Sequence, residues 1–198
     1  WTVIENRLAT RLRYVGRVES SSHLRDLQLQ HGVPDHGGDF ESQCGVFIDG
    51  NYNPREVERL AAHYNWYVLR GQSRGKYRHK DGIYRICDEM RYADVYQGTA
   101  TGGQVYCGWM FYSSEDARNV LANLRSIKVD DGEPVWSWSE DAGKDYSEQI
   151  DSWYRIARET KDGRTSWLWM RRGSTPDHIF DVEVMQCAVA EMGGFVGM

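Results

Sequence analysis

The pattern that most constrains this fold is a short strand, a helix and a second strand within fewer than thirty residues. An apolar run at residues 44–48 is followed by a polar turn at residues 49–52. Asn53 and Pro54 then provide a helix N-cap and a proline at the first helical position, and the helix leads to a second apolar run at residues 66–69. Two strands joined by one helix predict parallel pairing with a right-handed crossover.

The flanking segments extend this unit into a mixed α/β pattern. Strands are predicted at residues 2–4, 11–18, 83–87, 105–112 and 167–170, and helices at residues 20–30, 114–126, 145–157 and 177–192. An antiparallel pair at the start, a parallel unit in the middle and a closing helix favour a mixed sheet with helices on both faces. We therefore expect an α/β fold.

Length and composition fit a single domain over residues 1–198, with enough aromatic residues to build a core. No apolar run approaches the roughly 18 residues that cross a bilayer, which indicates a cytoplasmic protein that does not bind membranes. Cys44, Cys87, Cys107 and Cys187 form no C-x-x-C pair, so we expect reduced, buried thiols. The net charge of −5 excludes a surface that is basic overall but allows a local basic strip.

Asp49 is the first candidate for chemistry, because it directly follows the strand predicted at residues 44–48. Ligands in open α/β sheets collect at the carboxyl ends of the strands. An ordinary turn aspartate in front of Gly50 is the alternative interpretation, and Asp49 taken alone leaves both open.

A second acidic group opens the last predicted helix. Asp177 and Asp181 lie four residues apart and share a face that continues through the apolar Val184. Both carboxylates are therefore expected to point along the core-facing side and to need a compensating cation, which a divalent metal ion would supply. Helix capping by Asp177 and a favourable helix-dipole position for Asp181 are the alternative. His178 could orient a metal ligand or contact a phosphate. The alternative is an ordinary surface histidine in the first turn of the helix.

Phosphodiester hydrolysis is the reaction that would use these residues. Two Mg²⁺ or Mn²⁺ ions roughly 4 Å apart activate water and stabilise the leaving oxygen, and they take carboxylate ligands from several chain segments. We therefore expect Asp49, Asp177 and Asp181 to hold two metal ions, with His178 beside them.

Basic residues suited to double-stranded DNA follow the parallel unit and precede the last helix. The candidate DNA contacts are Arg70, Arg74, Lys76, Arg78, Lys80, Arg171 and Arg172. An ordinary solvated loop at residues 70–80 is the alternative interpretation.

Residues 46–53, 68–71 and 177–184, taken in this order, carry a family resemblance. They resemble the nuclease-domain motifs of phage terminase large subunits of the lambda-like group, and the similarity extends over most of the chain from about Tyr14 onward. Within these motifs Gly50-Asn51 replaces a Ser-Gly order, Arg70 replaces a lysine, and His178 stands where many relatives carry an acid.

The resemblance implies an RNase H-like endonuclease domain that uses divalent metal to cut concatemeric double-stranded viral DNA during genome packaging in the host cytoplasm. It assigns the catalytic acids to Asp49, Asp177 and Asp181, and it implies the terminase small subunit and the portal as partners. This family also has an ATPase domain and an aspartate on its first strand. No acid in residues 1–4 matches that aspartate, and no G-x-x-x-x-G-K-[ST] loop occurs.

We therefore expect a C-terminal fragment that lacks the upstream ATPase domain and the start of the first strand. Such a fragment is expected to bind metal weakly and to cut DNA poorly. Two other functions stay open at this point. An RNase H-like scaffold with structural acids would be a DNA-binding or motor-assembly module, and a resolvase-type nuclease on the same fold would prefer branched DNA.

Overall fold

The computed structural model describes residues 2–3, 10–12, 18–33, 45–95, 105–127, 136–138 and 142–194. The helices are α1 (Ser21–Gln30), α2 (Pro54–Tyr64), α3 (Ser114–Ser126), α4 (Gly143–Ile150) and α5 (His178–Met192). The strands are β1 (Thr2–Val3), β2 (Thr10–Leu12), β3 (Phe47–Asp49), β4 (Tyr67–Gln72), β5 (Tyr77–Arg78), β6 (Tyr84–Arg85), β7 (Arg91–Val95), β8 (Val105–Ser113), β9 (Trp136–Trp138), β10 (Trp153–Glu159) and β11 (Thr165–Arg171). The fold is mixed α/β, as predicted.

The chain divides into two compact units. The described residues of Gly16–Ser114 form the first, here called the sheet unit, and those of Trp1–Val15 and Glu115–Met198 form the second, here called the helix unit.

The sheet unit is built on a four-stranded mixed sheet in the order β3-β4-β8-β7. Strands β3, β4 and β8 are parallel, and β7 pairs antiparallel with β8. The predicted strand–helix–strand unit is confirmed, with α2 connecting β3 to β4 and Asp49 opposite Leu69. Pro54 begins α2 as predicted, but Asn53 adopts a left-handed conformation and its side chain makes no capping hydrogen bond.

The apolar residues of the predicted unit become the core of the sheet unit. The buried cluster consists of Ala61, Ala62, Trp66, Val68, Val95 and Cys107. Helix α1 joins this cluster through Leu24, and the Trp66 indole donates a hydrogen bond of 2.8 Å to Gln28 Oε1. Because both polar groups are buried, this bond removes the cost of leaving either unpaired. Ser20 caps α1 by accepting a hydrogen bond from the His23 N–H, as predicted.

The segment predicted as a polar loop at residues 70–80 is partly strand. Strand β4 continues to Gln72, and β5 forms a short antiparallel hairpin with β6. The hairpin is anchored to the end of β8, because the Ser113 hydroxyl donates to the Arg74 carbonyl and the Ser113 N–H donates to the Ile86 carbonyl. The basic segment therefore has a defined conformation.

The helix unit contains helices α3, α4 and α5 and two small sheets. Strands β1, β2 and β9 form one sheet, in which the predicted antiparallel pair β1–β2 is confirmed and β9 pairs parallel with β2. Strands β10 and β11 form an antiparallel ribbon. Helix α5 runs nearly as predicted and buries its apolar side in the core, including Phe180, Val184 and Ala188.

The helix predicted over residues 145–157 is wrong beyond Ile150. Helix α4 ends there, and β10 begins at Trp153. Tyr146, Ile150 and Trp153 have a helical spacing, which suggested one continuous helix. The residues after Trp153 are extended because they pair with β11, and this pairing lies outside the local pattern.

Two further expectations concern the cysteines and membranes. Cys87, Cys107 and Cys187 are buried thiols, as predicted, whereas Cys44 lies outside the described residues. None of the helices within the described ranges is both long enough and apolar enough to cross a bilayer.

Among the described residues of the helix unit, one carboxyl side chain is buried in the core. Glu183 is 1% exposed, and its Oε1 accepts a hydrogen bond of 2.7 Å from the Tyr146 hydroxyl. Its Oε2 has no hydrogen-bond partner among the described residues. Burial raises the pKa of Glu183 to about 7, although the Tyr146 hydrogen bond and the charge of Arg125 oppose the rise.

The raised pKa of Glu183 predicts that stability falls with rising pH. The native state holds a proton that the unfolded chain releases near the ordinary pKa, so the free energy of unfolding should decrease from about pH 4.5 to about 7 and then level off. At pH 8, Glu183→Gln should be more stable than the wild type by up to about 3 kcal/mol, since each pKa unit is worth roughly 1.4 kcal/mol. At pH 4.5 the two should be nearly equal.

Urea unfolding at several pH values would measure this difference. Tyr146→Phe is the control, because loss of its hydroxyl raises the pKa of Glu183 further and should extend the pH dependence upward. Equal pH profiles for Glu183→Gln and the wild type would contradict the assignment.

Candidate functional site

Asp49 occupies the position that the sequence predicted for it, at the carboxyl end of a parallel strand. It is the last residue of β3 and is exposed. Its Oδ1 accepts a hydrogen bond of 2.9 Å from the Asn51 N–H, and it makes no ion pair with any residue that the structure describes. Most of the acceptor capacity of the Asp49 side chain is therefore available to solvent.

Gly50 places the end of β3 directly against β4. Its N–H donates a hydrogen bond of 2.8 Å to the Leu69 carbonyl. A Cβ atom at this position would lie 2.3 Å from Val68 Cγ1, so the Val68 side chain or the backbone of the two strands would have to shift. The glycine after Asp49 is thus required by close strand approach and not only by the turn.

Arg70, a predicted DNA contact, lies on β4 and is already paired. Its guanidinium forms an ion pair of 2.5 Å with Glu58 on α2 and lies over the Trp109 ring, 5.4 Å from the centroid. Its side chain is only 20% exposed. Arg70 therefore connects α2 to the sheet, and its charge is largely compensated.

The other predicted DNA contacts of the sheet unit differ in whether a neighbouring group compensates their positive charge. Arg74 lies over the Tyr77 ring at 4.4 Å, and Lys80 forms an ion pair of 2.9 Å with Glu89. Arg78 is exposed and has no ion pair within the described part of the chain. The hairpin thus presents a basic surface that is weaker than its sequence suggests.

Asp177 is the N-cap residue of α5, and donors already occupy both of its carboxylate oxygens. Trp153 Nε1 donates to Oδ2 at 3.0 Å, and the Arg171 guanidinium donates to Oδ1 at 3.1 Å. The side chain is 17% exposed. These contacts fix the start of α5 to the β10–β11 ribbon, and a metal ion at Asp177 would have to displace them.

Asp181, one turn later, is more accessible. Its side chain is 49% exposed, and its Oδ1 lies 4.0 Å from the guanidinium of Arg118 on α3. The positive charge that a metal ion was expected to supply is thus provided by Arg171 beside Asp177 and by Arg118 beside Asp181. His178 is exposed at the first residue of α5.

The described residues show how far these acids fit a metal centre. They contain no group of three or more His, Cys, Asp or Glu side chains that could hold an ion together. Asp49 belongs to the sheet unit, whereas Asp177, His178 and Asp181 belong to the helix unit. By donor chemistry Asp49 and Asp181 suit a hard divalent ion, and Asp177 does not because its oxygens are engaged.

A cluster of arginines beside the ribbon was missed by the sequence analysis. Arg125 of α3 and Arg155 of β10 line one groove together with the predicted Arg172. The signal that could have found Arg155 is the mixing of arginines with tryptophans over residues 153–172, which the helix prediction for residues 145–157 obscured.

Comparison with family models, curated proteins and solved structures finds no match. The terminase resemblance therefore depends on the quoted motifs alone.

The contacts predict effects of different size on stability for two conservative substitutions. Asp177→Asn should lower the free energy of unfolding by about 1–3 kcal/mol, because Trp153 and Arg171 donate to different carboxylate oxygens and the amide replaces one of these acceptors with an NH₂ donor. Asp49→Asn should change it by less than about 0.5 kcal/mol, since Asp49 is exposed and makes one local hydrogen bond. Urea unfolding of both variants would measure the contrast, and equal losses would contradict the structural role of Asp177.

Proposed function

We propose that this chain is a metal-dependent endonuclease domain with an RNase H-like fold, of the kind that phage terminase large subunits use to cut DNA. The observation that carries the proposal is Asp49, a carboxylate without an ion-pair partner among the described residues, at the carboxyl end of a parallel strand in a mixed sheet. Such strand ends are where open α/β sheets bind ligands, and hard divalent ions take carboxylate oxygens.

In the sheet unit, Asp49 is the residue proposed to bind Mg²⁺ or Mn²⁺. In the helix unit, Asp181 is the corresponding acid, with His178 available for phosphate. When bound, the metal supplies an activated water and stabilises the leaving oxygen of a phosphodiester. Asp177 acts here as a positioning residue that fixes the start of α5 through Trp153 and Arg171, and so sets where Asp181 lies on the surface.

The remaining elements of the proposal come from the resemblance. The substrate is double-stranded viral DNA in concatemeric form, cut during packaging in the host cytoplasm, and the partners are the terminase small subunit and the portal. The basic hairpin supports an anionic substrate, because residues 73–90 carry five Lys or Arg against three Asp or Glu in a chain with a net charge of −5.

A non-catalytic DNA-binding module is the second candidate, and one observation favours it. Asp177 and Asp181 both lie beside arginines, which compensate their charge without any metal ion. On this hypothesis the acids are structural, and the basic residues alone carry the function.

Nicking of supercoiled plasmid with the protein in excess, so that slow cleavage is detected, separates the two. With Mn²⁺, the wild type should nick the plasmid, and EDTA should stop it. Asp49→Asn and Asp181→Asn should each reduce the nicking rate strongly. Loss of an outer-shell metal partner typically costs roughly 10–100-fold, and loss of a direct metal ligand should cost more than that. Asp145→Asn, at an exposed acid on α4, is the matched control and should cut like the wild type.

Each outcome decides between the candidates. DNA binding without metal-dependent nicking would favour the non-catalytic module. Nicking that survives both Asp49→Asn and Asp181→Asn would contradict the proposed site while retaining a nuclease. Preference for branched over linear DNA would indicate a resolvase.

A further inference from the structure

The helix unit contains a groove of about 320 Å³ between the end of α3 and the base of the β10–β11 ribbon. Its charged lining includes Arg125 of α3, Arg155 of β10 and Arg172 just after β11, and its aromatic lining includes Trp153, Tyr154 and Trp169. Cations and aromatic faces in one groove are the combination that binds the phosphates and bases of nucleic acids.

The groove has an excess of positive charge. Arg125 forms an ion pair of 2.6 Å with Asp151, which also lines the groove. Arg155 and Arg172 form no ion pair with any described residue. Three guanidinium groups therefore face one carboxylate, and the surplus favours a bound anion.

The two uncompensated arginines are held by aromatic rings. Arg155 lies over the Trp167 ring at 4.7 Å and Arg172 over the Tyr154 ring at 5.6 Å. A guanidinium stacked by its face keeps the N–H groups of its edge directed outward, where they can bind a phosphate bidentately. Only one edge contact is present among the described residues, a 3.4 Å hydrogen bond from Arg155 to Asn123.

The positive charge continues beyond the groove along the ribbon. Residues 153–172 contain six Lys or Arg and two Asp or Glu. The seven paired residues of each strand span about 24 Å at roughly 3.4 Å per residue. Phosphates of one strand follow at roughly 3.4 Å along a duplex axis, so this length matches about seven nucleotides and exceeds a single nucleotide.

We propose that the groove and the ribbon together bind the phosphate backbone of a nucleic acid, with Arg155 and Arg172 as the principal contacts. This inference takes its ligand class from the proposed function and assigns the binding to the helix unit, in addition to the basic hairpin of the sheet unit.

Fluorescence anisotropy with a labelled 25-base-pair duplex and the matching single strand, in EDTA, tests the proposal without cleavage. The double variant Arg155→Ala/Arg172→Ala should raise the Kd at least about ten-fold and lower the salt slope by about two, one for each lost phosphate contact. Arg59→Ala/Lys144→Ala removes the same charge from exposed positions outside the groove and should leave both values nearly unchanged. Arg155→Lys/Arg172→Lys keeps the charge and should retain most of the salt slope.

An unchanged Kd for the groove variant, or equal weakening by the control variant, would overturn the proposal. If the alanine variant unfolds, Arg155→Gln/Arg172→Gln takes its place, because it removes both charges but keeps long polar side chains, and it should weaken binding and lower the salt slope in the same way. Failure of the nuclease proposal can be distinguished from failure of the groove proposal. If no variant cuts DNA but the groove variant loses binding, the groove is supported and the nuclease is not.

Discussion

Parallel pairing of β3, β4 and β8 is the constraint on which the sheet unit depends. Parallel strands need crossover connections, and they must approach closely for their ladders to form. Three glycines permit this approach. A Cβ atom would lie 2.3 Å from Val68 at Gly50, 2.9 Å from the Tyr112 hydroxyl at Gly71 and 2.8 Å from the Tyr67 ring at Gly108. Because Gly50 lets β3 lie against β4, it also fixes the position of Asp49.

Arginines determine the electrostatics of the surface more than the net charge does. The chain is acidic overall, yet arginines compensate acids or lie on aromatic rings in both units, as Arg70 does with Glu58 and Trp109. In the helix unit Arg118 lies over Trp153, 4.2 Å from the ring centroid, and 4.0 Å from Asp181. The planar guanidinium suits such sites, because it stacks by its face and donates from its edge.

The candidate site was predicted from the sequence to different degrees. Asp49 could be placed because a strand, a turn and a helix in sequence fix which end of the strand it occupies. Its accessibility and lack of a cation partner among the described residues agree with that placement. The partners of Asp177 could not be foreseen, since Trp153 and Arg171 reach it only through the β10–β11 ribbon. Helical spacing placed two acids on one face, but charge compensation depends on which side chains pack there.

The sequence by itself determined the strand–helix–strand unit, helices α1, α3 and α5, and the mixed α/β class, because their signals are local periodicity, caps and breakers. Only the tertiary structure decided where α4 ends, that residues 153–159 are extended and that arginines meet the acids of α5. The physical reason is that strand pairing and ion pairing join residues distant in the chain, and their energy is absent from any short segment.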